Sequence, residues 1–229
     1  MISDIPSKTY SRSISGDSRF IRRDESFDLI TDKLTTEGKI ALVGPARIGK
    51  TLTAIHYCLK NQKKYDYLGK CLYLNATDSN TLYEGLKEFA WLQEIVVLKP
   101  DLNKDDVVSK VIKYLKEHTK YLLIFDNVTN IDDIKSLIPD NDVQLIFTSR
   151  QPLGGMYNYE ITRFSRAESV KYLRDNVKFG TYERAGELAE KLEDLPYKLT
   201  LATEYMRGCA CSIPRFLDEC FKFVFPKTN

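Results

Sequence analysis

The sequence predicts a three-layer α/β domain on a mostly parallel five-stranded sheet, followed by a small all-α unit. Three observations carry that reading. Short β-rich runs alternate with segments of helical period up to about Ile161. Past that point the strand signals stop and helix-start signals take over. One apolar run, Lys39-Ile40-Ala41-Leu42-Val43, leads straight into Gly44-Pro45-Ala46-Arg47-Ile48-Gly49-Lys50-Thr51, which opens an amphipathic pattern carrying Leu52, Ile55 and Leu59. Strands interleaved with helices imply crossover connections, and crossovers imply parallel pairing.

The elements follow in order. Residues 1–18 are polar and serine-rich with no apolar period, so they read as a mobile arm, and organised structure is expected from Phe20. The strand candidates are Lys39–Val43, Cys71–Asn75, Tyr121–Asp126, Val143–Ser149 and Tyr157–Ile161. Between them Leu82, Leu86 and Phe89 recur at helical spacing, as do Val107, Val108, Val111, Ile112 and Leu115 after a capping Asn103. Trp91, beside Phe89 and Leu92, is expected in the core. Ser165-Arg166-Ala167-Glu168 forms a capping box for a helix reaching about Asn176. Tyr182–Leu192, Pro196–Met206 and Ile213–Phe225 continue the helical unit, with Pro196 and Pro214 suited to first turns. The expected organisation is thus an arm over 1–18, an α/β domain over 19–161 and a helical subdomain over 162–229. The last helix carries Phe216, Leu217, Cys220, Phe221, Val224 and Phe225, more apolar surface than one flank of a small bundle covers. Part of it is expected to be exposed and to meet a further domain or a second copy of the chain.

Composition narrows the function classes. With 229 residues, 43% hydrophobic and 29% charged, the chain can bury one full core and a small second one. The net charge of +2 arises from 34 basic and 32 acidic residues spread along the sequence, so nucleic acid is not the expected partner. No window approaches the ~18 apolar residues of a membrane span, and the first residues lack the apolar centre of a secretory signal, so a cytoplasmic location without membrane contact is expected. Cys58, Cys71, Cys209, Cys211 and Cys220 are odd in number and lack C-x-x-C spacing, which argues against a disulfide framework or a zinc site. His56 and His118 fall on helical patterns away from every motif and are given no chemistry.

The chemistry-bearing segments converge on phosphate. Residues 44–51 fit G-x-x-x-x-G-K-[ST], in which glycines let the backbone turn and present N–H groups at a helix N-terminus. Lys50 would reach the β- and γ-phosphates, Thr51 would ligate Mg²⁺, and contacts would run from Gly44 through Pro45, Ala46, Arg47, Ile48 and Gly49 to Leu52. Tyr121-Leu122-Leu123-Ile124-Phe125-Asp126 reads as a strand buried on both faces that ends in a carboxylate at the edge where such sheets bind ligands. Asp126 there suits the same Mg²⁺. The strand before Arg150 ends at that edge too, and its guanidinium can meet a γ-phosphate.

Together, Phe20-Ile21-Arg22-Arg23-Asp24-Glu25, the phosphate loop, the Asp126 strand, Thr148-Ser149-Arg150 and Asp194-Leu195-Pro196-Tyr197-Lys198-Leu199 resemble the NB-ARC domain, the nucleotide switch of the STAND class of signal-transducing P-loop ATPases. The resemblance runs from about Ser18 to Phe225. It implies an adenine nucleotide, ATP or ADP, clamped between the two parts of the chain, with Phe20, Ile21 and Arg22 passing the base and Pro196, followed by Tyr197, packing on it. It further implies that Arg150 meets the γ-phosphate, so that Lys50, Asp126 and Arg150 serve a slow ATPase, and that the Val143–Ser149 strand lies between those of the phosphate loop and Asp126.

The sequence departs from the family pattern at informative places. Arg22 stands where glycine is usual, Pro45-Ala46-Arg47 replaces glycines, and Leu-Pro-Tyr-Lys replaces Leu-Pro-Leu-Ala. Asn127 occupies the place of a second carboxylate that activates water in many relatives, and an amide is a poor base. The expected role is a switch resting with ADP and active with ATP. Two alternatives stay open: a P-loop ATPase acting on nucleic acid or protein, and an interaction module that keeps ADP as a fixed group.

Overall fold

Lys39–Val43 (β1), Cys71–Asn75 (β2), Leu122–Val128 (β3), Gln144–Ser149 (β4) and Tyr157–Glu160 (β5) form one sheet in the order β2-β3-β4-β1-β5, and every neighbouring pair is parallel. All five segments coincide within a residue or two with the apolar runs of the sequence. The computed structural model describes residues 24–61, 71–96, 103–118, 121–138, 143–177, 182 and 184–226. The arm at 1–18, and Phe20, Ile21 and Arg22, lie outside the described residues. The chain divides into an α/β unit of Asp24–Pro45 and Lys50–Ile161 and a second unit from Thr162 onward, with which the loop tip Ala46–Gly49 is grouped.

In the α/β unit the helices are Asp24–Thr36 (α1), Lys50–Asn61 (α2), Ser79–Leu92 (α3) and Lys104–Glu117 (α4). Side chains alternate across a strand, so each strand feeds two cores. Ala41, Val43, Leu74, Leu123, Phe125, Leu145 and Phe147 pack with Leu82, Leu86 and Phe89 of α3 and Val107, Val111 and Leu115 of α4. The intervening residues, Ile40, Leu42, Ile124, Ile146 and Thr148, are equally buried and share the opposite face, against which α1 and α2 lie. Phe125 and Phe147, partners in register, stack with centroids 5.3 Å apart. Asp78 caps α3 by accepting from the Thr81 N–H at 2.8 Å, and Asn103 caps α4 by accepting from the Asp105 N–H at 2.9 Å.

The helical unit holds Arg166–Asn176 (α5), Ala185–Lys191 (α6) and Pro196–Gly208 (α7). Both bonds of the Ser165–Glu168 capping box are present, and Pro196 opens α7. Tyr172, Leu173, Leu188, Leu199, Met206 and Phe216 form its core. Asp194 ties the unit together: Arg166 donates to its carboxylate from Nε at 2.9 and 3.2 Å and from Nη2 at 2.9 Å, while its backbone carbonyl accepts from Phe164 N–H.

Three expectations are corrected. Trp91 is 52% exposed: it stands two residues, about 200°, beyond Phe89 on the helix, so the face that buries Leu82, Leu86 and Phe89 turns Trp91 outward. Cys58 of α2 and Cys71 of β2 are joined as a disulfide with Cα atoms 6.6 Å apart, a proximity set by folding the crossover back onto the sheet and invisible in cysteine spacing. The last helix is not continuous: Ile213–Arg215 passes into a π-helical turn, Phe216–Cys220, and then Phe221–Val224. The wider turn lets Phe216 and Leu217 bury while Phe221, Val224 and Phe225 pack against the same core, leaving Phe223 as the fully outward ring at 84% exposure.

Candidate functional site

The loop after β1 turns through backbone angles that most side chains resist. Gly44 and Gly49 have φ of 141° and 106°, and Arg47, between them, is left-handed at 64°. No atom lies within 4 Å of a Cβ built on Gly49, so what demands glycine there is the backbone angle rather than crowding. Ile48 is buried to 2% exposure and anchors the loop, whereas Pro45, Ala46 and Arg47 are exposed.

Lys50 begins α2 at 9% exposure, and its ammonium donates to the carbonyls of Gly44 and Pro45, each at 2.8 Å. Burial pulls its pKa below the ordinary lysine value; the charge of Asp126 opposes the shift and that of Arg150 adds to it. Asp126 is hydrogen-bonded to Thr51, the residue after the lysine, and Arg150 follows β4, the strand between β3 and β1. Arg150 itself is exposed, one residue past β4.

Asp126 is the hub. It sits where the β3–β4 register slips between Phe125 and Val128, a bulge that also puts Asn127 at φ 64°. Three hydroxyls donate to its carboxylate: Thr51 to Oδ1 at 2.7 Å, Thr148 to Oδ1 at 2.6 Å, and Tyr73 to Oδ2 at 2.8 Å. Thr148 in turn accepts the Asn127 N–H at 2.9 Å. The Asn127 amide donates to Thr77 Oγ1 at 2.9 Å, and Thr77 donates on to Asn75 Oδ1 at 2.6 Å.

Lys50, Thr51, Asp126 and Arg150 are therefore assembled at the carboxyl edge of β1, β3 and β4, with β4 between the other two strands. Thr51 Oγ1 and Asp126 Oδ1 are hard oxygen donors in direct contact, a donor set that fits Mg²⁺. Pro196 and Tyr197 begin α7 of the helical unit, where Tyr197 is 44% exposed. Tyr73 and Thr148 did not emerge from sequence. Thr148 lay in view beside Arg150, but Tyr73 is brought to Asp126 only by strand pairing.

No protein-family model matches the sequence, and no curated protein matches it. Solved structures do. Cdc6p from Pyrobaculum aerophilum superposes with a TM-score of 0.63 at 12% identity over 91% of this chain and 68% of that one. The signal transduction ATPase with numerous domains (STAND) protein with a tetratricopeptide repeat sensor from Pyrococcus horikoshii gives 0.55 at 21% identity over 90% of this chain, which spans 31% of that protein. The Aeropyrum pernix ORC1 protein in complex with DNA gives 0.53 at 16% identity over 83% of this chain and 61% of that one. These likenesses define the fold as that of the P-loop ATPases. Among the described residues no helix is long and apolar enough to cross a membrane.

Proposed function

We propose that the chain binds an adenine nucleotide together with Mg²⁺ and acts as an NB-ARC-like signalling switch, resting with ADP and active with ATP, with slow hydrolysis. The observation that carries this reading is the contact of Thr51, the last residue of the phosphate-loop motif, with Asp126, on a P-loop ATPase fold. Lys50 would exchange its bonds to the loop carbonyls for the β- and γ-phosphate oxygens, at little desolvation cost because it is already buried. Thr51 and Asp126 would hold the cation, which when bound supplies charge neutralisation at those oxygens. Arg150, whose charge already acts on Lys50, would distinguish ATP from ADP by meeting the γ-phosphate. Pro196 and Tyr197 would contribute to the base contacts.

Slow turnover follows from Asn127. Its amide is engaged with Thr77 and cannot accept a proton from water, so hydrolysis is expected well below the ~10 s⁻¹ typical of enzymes. A state that outlasts chemistry suits a switch. The likeness to Cdc6p and to the ORC1–DNA complex favours one other reading, an ATPase acting on DNA. Steady-state ATP turnover with and without duplex DNA separates them: slow, DNA-indifferent hydrolysis supports the switch, and strong stimulation by DNA supports the other.

A further inference from the structure

Asp126 is held by three hydroxyl donors, and the third comes from an unexpected strand. In the β2–β3 pairing Tyr73 lies opposite Ile124, and Asn75 lies opposite Asp126. Asn75 faces the carboxylate across the ladder but is occupied by Thr77. Tyr73, one step back on the same face, leans along the strand to reach Oδ2 at 2.8 Å, a diagonal span that aromatic side chains can cover.

We propose that Tyr73 is a positioning residue for the Asp126 carboxylate and thereby makes the site selective for Mg²⁺ over larger divalent cations; this rests on the phosphate and Mg²⁺ reading above. The two threonines cannot do this job alone. Both donate to Oδ1, so together they pin one oxygen and leave the carboxyl plane free to turn about it. Thr51 is also the residue that would turn a lone pair to the cation, and its O–H, which can keep donating, reaches only Oδ1. Thr148 is fixed as a donor to the same oxygen because it accepts the Asn127 N–H. Tyr73 supplies the only second point of attachment, at Oδ2, among the hydrogen bonds the described residues make to that carboxylate, and a ring with two torsions holds it stiffly. Stiffness matters for selectivity because Mg²⁺ demands near-ideal octahedral oxygen placement, while Ca²⁺ accepts a flexible and larger set.

Tyr73→Phe removes one hydroxyl and keeps the ring. The readout is binding of a fluorescent ATP analogue in EDTA and across titrations of Mg²⁺ and Ca²⁺, with the wild type, Tyr73→Phe and Asp126→Asn in parallel. The expected result is unchanged affinity in EDTA, a half-saturating Mg²⁺ concentration raised about 10-fold, as for loss of a group that orients a metal ligand, and a Ca²⁺ value moved far less. A Mg²⁺ value that does not move, or Mg²⁺ and Ca²⁺ values that rise equally, overturns the assignment of Tyr73 while Asp126→Asn still abolishes the Mg²⁺ response. A wild type whose nucleotide affinity ignores Mg²⁺, or an Asp126→Asn variant that responds normally, overturns the site reading itself and the role of Tyr73 with it.

Discussion

Thr148→Val tests whether the polar hub is as tightly coupled as its geometry states. Valine matches threonine in shape, so the perturbation removes one oxygen from a position only 1% exposed and leaves the packing volume alone. Two bonds go with it, the 2.6 Å donation to Asp126 and the 2.9 Å acceptance from Asn127 N–H. The charge-assisted bond is worth about 1.5–3 kcal/mol and the unpaired N–H costs about 1–3 kcal/mol. Water can reach these partly buried groups, which favours the lower ends, and the two losses share one atom, so a total of about 2–4 kcal/mol is expected. At roughly 3 °C per kcal/mol for a unit of this size, the α/β unfolding midpoint should fall by about 6–12 °C. Circular dichroism on thermal and urea denaturation measures it, with Thr148→Ser, which retains the hydroxyl, as the control. A Thr148→Val variant within ~0.5 kcal/mol of wild type, or a serine variant as unstable as the valine one, would refute the reasoning, since the hydroxyl would then carry nothing.

Other consequences follow from the same geometry. Arg150→Ala should weaken ATP about 10-fold more than ADP in parallel titrations, because only ATP presents a γ-phosphate; equal losses would make Arg150 structural. Asn127→Asp places a carboxylate where Thr77 now receives an amide hydrogen, and single-turnover γ-phosphate release should quicken; no change would mean that water activation is not limiting. In the helical unit, burial alone would raise the pKa of Asp194, but the hydrogen bonds and charge of Arg166 outweigh it and hold it below the usual carboxylate value. A depressed folded pKa contributes stability above the unfolded value near ~3.9, and that contribution is lost as pH falls through the folded value. Asp194→Asn should therefore lower the helical unit's unfolding midpoint at neutral pH and flatten its decline in acid; a variant with the wild-type acid limb would show that another group governs it.

Much of this was legible because the relevant forces are local. Alternating apolar runs and helix-start residues are short-range signals, so the five strands, the caps at Asn103 and Ser165 and the first-turn Pro196 stand where the sequence puts them. Thr51 and Asp126 were legible as partners because each belongs to a pattern whose chemistry requires the other. Tyr73 was not, since nothing within its own strand reveals which register brings it beside Asp126. Cys58 and Cys71 met for the same reason, through a crossover whose return path is a tertiary matter. Trp91 was misread because neighbouring apolar residues suggested a core when the helical phase, followed two residues further, pointed to solvent. The π-helical turn at Phe216–Cys220 likewise answers to packing, which trades a regular hydrogen-bond ladder for the burial of Phe216 and Leu217.

The central claim is that Lys50, Thr51 and Asp126 form a nucleotide site, and calorimetric titration of the purified chain with MgATP and MgADP tests it most directly. After denaturation and mass spectrometry to account for any nucleotide carried through purification, the wild type should bind one adenine nucleotide per chain, and Lys50→Ala should lose most of that affinity while keeping the wild-type circular dichroism spectrum. A wild type that neither releases nor takes up nucleotide, or a Lys50→Ala variant that binds it undiminished, would contradict the account.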